Sequence, residues 1–128
     1  MNEMTEQLIK KYPKLLKINK PAINPWDMWG IEFYKGWLPL FDELCAKIQK
    51  YVDKNNLIQP TIAQAKSKFA MGRIYADNTD DYIDNLIDKF EKDTLNYCEE
   101  CGANQNVTTN NINEGYMFTL CKSCRNKK

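Results

Sequence analysis

Residues 98–124 read CEECGANQNVTTNNINEGYMFTLCKSC, and the four cysteines in this stretch decide the fold of the chain's last third. Cys98 and Cys101 form one C-x2-C pair, nineteen residues follow, and Cys121 and Cys124 form the second. Zinc takes four ligands at tetrahedral corners, and two tight turns that each present two sulfurs supply them without straining the backbone. Gly102 stands where the first turn calls for a positive φ. Between the pairs, 107–109 and 116–120 are rich in β-formers, and Asn110, Asn111, Asn113 and Gly115 between them are turn formers. A hairpin between two cysteine knuckles is a zinc ribbon. Its short strands bury little apolar area, so metal binding supplies much of its folding free energy, on the order of 10 kcal/mol.

Two other readings of the cysteines are weaker. A lone C-x-x-C is also a thiol–disulfide motif, but two pairs at ribbon spacing favour metal. Four thiolates also hold an iron–sulfur cluster. A catalytic zinc keeps one position open for water, whereas four thiolates fill them all, so one structural Zn²⁺ per chain is the expectation.

Working towards the N-terminus, Tyr82, Ile83, Leu86, Ile87, Phe90 and Leu95 mark a long helix reaching about residue 96, with caps offered by Asn78, Thr79 and Asp80. Residues 60–77 are ambiguous: Ile62, Ala65 and Phe69 suit a helix, but Gly72 followed by Arg73-Ile74-Tyr75-Ala76 favours a hairpin. The clearest helix spans 39–54. Leu40, Phe41, Leu44, Cys45, Ile48, Tyr51 and Val52 recur at intervals of three and four, and Pro39 suits a first turn. Cys45 lies on that apolar stripe and reads as a core thiol. Residues 18–36 carry Pro21, Pro25, Gly30 and Gly36 among aromatic residues, predicting an aromatic-pinned loop with a short strand at 30–34. Residues 5–11 make at most two helical turns before Pro13. The expected fold class is therefore α+β: two main helices packed with a small hairpin or short sheet, then the ribbon. The boundary is expected between 1–96 and 97–128.

The formal charge of +1 is too small to make the whole molecule a trap for phosphate backbones. A Zn(Cys)4 site carries about two negative charges, which brings the loaded chain near −1. The first residues lack the basic and apolar regions of a secretion signal, and no run approaches the length of a membrane span, so a reducing cytoplasm is the expected compartment.

The chain contains no histidine, which removes the commonest general base. No nucleophile elbow or phosphate-cradling glycine loop stands in the sequence. A non-enzymatic role follows as the expectation. Five groups of residues are candidates for binding. Lys66, Lys68, Arg73 and Tyr75 surround the expected hairpin. Lys122 and Arg125, with Lys127 and Lys128, follow the last cysteines. Trp26 and Trp29, with Trp37, either cover the long helix or anchor an interface. Tyr116, Phe118 and Leu120 form a stripe that either packs inward or stacks bases. The acidic run from Asp77 to Asp93 is either a solvated helix face or a surface for a basic partner.

The segments Gly36-Trp37-Leu38-Pro39, Gln64-Ala65-Lys66-Ser67-Lys68-Phe69 leading to Arg73-Ile74-Tyr75, Cys98-Glu99-Glu100-Cys101-Gly102 and Thr119-Leu120-Cys121 occur in that order. In this the chain resembles a group of small bacteriophage and prophage proteins, in which a Gly-Trp-x-Pro-led helix and a Q-x-K-x-K-F-G-x-L-R-x-Y segment precede a terminal zinc ribbon. The likeness covers roughly residues 30–125 and departs from the pattern at Ala70, Gly72 and Ile74, around the turn. It implies a phage-infected bacterial cell as the setting and no particular activity. The first expectation is a phage accessory protein that binds a host protein or defence complex, with inhibition of that target as its strongest form. The alternative is a nucleic-acid-binding ribbon using the lysines and arginines named above as phosphate contacts.

Overall fold

The computed structural model describes residues 1–110 and 117–127 and has the expected mixed α+β architecture. In chain order come α1 (Glu3–Lys11), α2 (Pro25–Trp29), β1 (Ile31–Glu32), a single 3-10 turn (Lys35–Trp37), α3 (Leu38–Asn55), β2 (Thr61–Lys68), β3 (Met71–Asp77), α4 (Asp81–Thr94), β4 (Val107–Thr109), β5 (Thr119–Cys121) and α5 (Lys122–Asn126).

Helix α3 begins with Pro39 in its first turn, where a missing N–H costs nothing, and ends at Asn56 in the left-handed conformation, whose N–H bonds the Val52 carbonyl. Helix α4 is capped by Asp80, whose carboxylate accepts the Ile83 N–H at 2.9 Å. The two helices pack against each other, α4 also lies against β3 and α2 against β2, and α3, α4 and the sheet ordered β1-β2-β3 share one hydrophobic core. Phe41 of α3 and Phe90 of α4 meet edge to face at 6.0 Å between ring centres, with Phe33 at 5.6 Å from Phe41. Ile62, Ala65, Gly72 and Ile74 supply the sheet's inner face, and Cys45 is buried in the same core, as its place on the apolar stripe predicts.

Residues 60–77 resolve as the antiparallel hairpin β2–β3. Its turn is Phe69–Ala70, both with positive φ (53° and 65°), whereas Gly72 lies inside β3. The glycine is required there by packing: a Cβ on Gly72 would stand 2.9 Å from Thr94 Cγ2 and 3.1 Å from Phe90 Cε2. Helix α4 also satisfies the edge of β3 that faces away from β2. Thr94 Oγ1 accepts the Gly72 N–H at 2.9 Å, and Glu91 Oε2 accepts the Ile74 N–H at 3.0 Å.

The stretch expected as a loop with a short strand contains helix α2 as well. Asn24 and Asp27 form a reciprocal capping box around it, and Asp27 also accepts the Asn19 and Ile23 N–H groups at 2.8 and 2.9 Å. β1 then pairs in parallel with β2, Ile31 opposite Ala65 and Glu32 opposite Lys66. Helix α1 starts two residues earlier than expected because Asn2 caps it, its side chain accepting the Thr5 N–H. Thr5 is buried and accepts the Ile31 N–H at 2.9 Å. Among the described residues no helix is long and apolar enough to cross a membrane.

Candidate metal centre and binding face

The C-terminal hairpin pairs Val107 with Cys121, Thr108 with Leu120 and Thr109 with Thr119. The expected first residue of its second strand, Tyr116, and the turn residues Asn111, Asn113 and Gly115 lie outside the described residues, as does Lys128. Gly102 has the positive φ its place in the knuckle demands, 82°, and its N–H returns to the Cys98 carbonyl at 2.8 Å. The second knuckle closes with the Cys124 N–H on Cys121 Sγ at 3.4 Å.

These turns bring Cys98, Cys101, Cys121 and Cys124 together with all four sulfurs within 4.8 Å of one another. Cys101 Sγ and Cys121 Sγ are 3.7 Å apart. Four sulfurs at about 2.3 Å from one tetrahedral metal stand about 3.8 Å from each other. The cluster therefore has the dimensions of a single-ion site and is compatible with one zinc. Burial pushes the Cys98 thiol up, but N–H donors from Cys121, Cys101 and Glu100 outweigh it and bring the group to about 6. Cys124 is pushed up to about 12 by its hydrogen bond to Cys121 and by burial. Four thiolates in one place repel one another, and a divalent cation is what lets all four exist together.

Hydrogen bonds tie the ribbon to the rest of the chain. The Gly36 N–H donates to the Glu99 carbonyl at 2.8 Å, the Trp37 indole N–H to the Tyr97 carbonyl at 2.8 Å, and the Thr119 hydroxyl to the Ala70 carbonyl at 2.6 Å. Backbone approach at the first of these is so close that a Cβ on Gly36 would lie 2.1 Å from the Cys98 carbonyl oxygen. Glu99 is buried between two ligands, and its carboxylate accepts the Thr119 N–H at 2.9 Å. Gly36, Glu99 and Thr119 are thus residues of the site that reading the sequence missed. Nothing local marks Glu99 or Thr119, whereas Gly36 carries a signal, a glycine directly before a tryptophan that must be buried.

The other candidates divide. Lys66, Lys68, Arg73 and Tyr75 come together on the sheet face opposite the core. Along β2, Gln64, Lys66 and Lys68 point away from Ala65; along β3, Met71, Arg73 and Tyr75 point away from Gly72 and Ile74. Lys66 stands directly opposite Arg73, and Gln64 opposite Tyr75. Phe69 and Tyr75 are 61% and 47% exposed, and the Lys68 ammonium lies 5.8 Å from the Phe69 ring centre. Among the described residues none of Lys66, Lys68 and Arg73 makes an ion pair, and Arg73 Nε has no hydrogen-bond partner.

Trp26 does not share this role. It is fully buried, with its indole N–H on the Leu16 carbonyl at 3.2 Å and its ring 6.4 Å from Phe41, because the capping box turns α2 inward there. Trp29 is exposed at the C-terminal end of the same short helix. Arg125 is not a free cation either: its guanidinium donates to the Thr108 and Phe118 carbonyls and braces the ribbon hairpin. Lys122 and Lys127 are exposed. Most of the acidic run is used locally. Asp80 caps α4 and accepts the Tyr51 hydroxyl, Asp84 accepts the Thr79 hydroxyl, and Asp88 and Asp93 pair with Lys92 and Lys89.

Comparison of the chain with protein-family models, with curated proteins and with solved structures returns no match.

Proposed function

We propose that this is a non-enzymatic binding protein, stapled by one structural zinc ion, that acts by docking the outer face of β1-β2-β3 onto an acidic surface of a host protein in a phage-infected bacterial cell. Zinc is the reading for the metal because four buried or knuckle-held thiolates at tetrahedral spacing leave no open position for substrate. The phage setting rests on the sequence resemblance.

The observation that carries the binding reading is the directly opposed pair Lys66 and Arg73, flanked by Lys68. Like charges placed opposite each other across two strands destabilise the sheet, and among the described residues no ion pair offsets them. Glu32, on the other side of Lys66, is outside ion-pairing distance. A local cost of this kind, kept on an open face beside Tyr75 and Phe69, makes sense when an anionic surface completes it. The same cations and exposed rings would also suit a single strand of nucleic acid. The near-neutral charge of the whole chain favours a protein surface.

The test is affinity isolation from nuclease-treated bacterial lysate with tagged wild type and with a Lys66→Glu, Arg73→Glu double variant, each checked for zinc content. A stoichiometric protein partner held by the wild type and released by the variant is the expected result. A partner retained equally by both would refute the face assignment, and binding abolished by nuclease would reassign the partner to nucleic acid.

A further inference from the structure

Two non-glycine residues in succession, Phe69 and Ala70, hold left-handed conformations at the tip of the basic hairpin. Such a two-residue turn normally takes Asn-Gly or a similar pair, because a Cβ is disfavoured at positive φ. Something outside the hairpin must therefore hold it. That contact is Thr119, whose hydroxyl donates to the Ala70 carbonyl at 2.6 Å from 49 positions further along the chain. Since the Thr119 hydrogen is spent on Ala70, the 2.8 Å contact between the Thr109 and Thr119 hydroxyls is donated by Thr109.

Thr119 is held in turn by the metal centre. It lies two residues before Cys121, and it exchanges two hydrogen bonds with Glu99, which sits between Cys98 and Cys101. The Thr119 N–H donates to the Glu99 carboxylate and the Glu99 N–H to the Thr119 carbonyl, each at 2.9 Å. Both residues are buried, as is Ala70, while Phe69 next to it is exposed. The cysteine knuckle, Glu99, Thr119 and the hairpin tip are thus joined in one path, covalent from Cys98 to Glu99 and hydrogen-bonded from Glu99 through Thr119 to Ala70, and the tip carries Lys68 and Phe69.

We propose that metal loading controls the binding face through Thr119: with the ion in place the ribbon clamps the Phe69–Ala70 turn and presents Lys68 and Phe69 beside Lys66 and Arg73, and without it the tip is released. This deepens the binding reading above and rests on it for the identity of the partner, but the clamp itself is a property of the chain alone. It makes partner binding zinc-dependent although no ligand of the metal belongs to the face. Removal of the zinc by a chelator would switch the face off at a distance.

Amide hydrogen exchange of the full chain reads the clamp directly, and a fluorescein-labelled hexaglutamate peptide at low salt serves as the acidic probe. Zinc-loaded wild type, metal-free wild type, and zinc-loaded Thr119→Val and Thr119→Ser are compared, with zinc counted in each. Thr119→Val removes the hydroxyl without touching a sulfur, and Thr119→Ser keeps it. Exchange at residues 66–72 about 10-fold faster in the metal-free protein and in Thr119→Val, with α3 unchanged and the serine variant restored, is the expected pattern. Hexaglutamate affinity should fall about 10-fold in the same two samples. If exchange responds but no form binds the peptide, the clamp stands and the acidic-partner reading fails. Unchanged protection of 66–72 in metal-free protein, or in a Thr119→Val variant that still holds its zinc, overturns the inference. Should the valine variant fail to fold, the metal-free wild type alone decides the matter.

Discussion

Replacing Gly36 by alanine adds one methyl group where the chain leading into α3 meets the first cysteine knuckle. Its Cβ would lie 2.1 Å from the Cys98 carbonyl oxygen and 2.5 Å from the Glu99 carbonyl carbon. Ordinary carbon–oxygen contact needs about 3.4 Å, so one backbone must retreat by more than about 1 Å. Neither neighbour is the far end of a flexible side chain, and the residue lacks a left-handed φ, so the cost is steric rather than conformational. Retreat stretches the Gly36 N–H bond to Glu99, 2.8 Å long, and lifts Glu99 away from Thr119. Overpacking of this kind costs about 1–3 kcal/mol, and the lost hydrogen bond adds about 1 kcal/mol. The total of about 3 kcal/mol should appear in urea unfolding of the zinc-loaded protein and as faster zinc loss to a chromogenic chelator. Gly72→Ala is the comparison, since its Cβ would meet side chains at 2.9 and 3.1 Å rather than backbone at 2.1 Å, and its cost should be smaller, about 1–2 kcal/mol. A Gly36→Ala protein within about 0.5 kcal/mol of wild type, with unaltered zinc retention, would refute the claim that backbone contact docks the knuckle.

Three further outcomes follow from the geometry. Cys98→Ser or Cys121→Ser should lower the zinc content of purified protein well below one per chain, whereas Cys45→Ser should leave it at one; burial pushes the Cys45 thiol far above its usual range, and metal analysis separates the cases. Trp37→Phe leaves the Tyr97 carbonyl without its indole donor and should cost about 1–3 kcal/mol in denaturant unfolding while the zinc count stays the same. At Asp27, burial pushes the carboxyl up, but N–H groups of Asn19, Ile23 and Asn24 outweigh it and hold the group below the usual carboxylate range. Its contribution is therefore complete above the unfolded value of about 4 and is lost as pH falls through the lower folded value. Asp27→Asn should be less stable than wild type at pH 7, with the gap closing below about pH 4 in parallel acid titrations.

How legible this chain is depends on the range of the forces involved. Helices α3 and α4 and the cysteine set are readable because each is fixed by its own periodicity or spacing. The β2–β3 hairpin is readable only in outline. Gly72 looks like a turn residue in sequence and is a packing residue in space, since Phe90 and Thr94 stand over it. The true turn, Phe69–Ala70, carries no turn residue because its conformation is held by Thr119 from the far end of the chain. Helix α2 hides among prolines and aromatics; Asn24-Pro25-Trp26-Asp27 is a capping box in retrospect, with Asp27 three residues after the cap. Of the binding candidates, Lys66, Lys68, Arg73 and Tyr75 alternate in the sequence and so share a face once the hairpin exists. Trp26 and Arg125 differ because burial and bracing are set by neighbours that spacing does not show.

The two side-chain acceptors that α4 lends to β3 have a consequence for the molecule in a crowded cell. An uncovered strand edge is a template on which another chain can grow, and the usual defence is to blunt it with charge or a bulge. Here Thr94 and Glu91 occupy the Gly72 and Ile74 amides themselves. The hairpin can then show a broad, flat, partly aromatic surface to a partner without offering its backbone to a second copy.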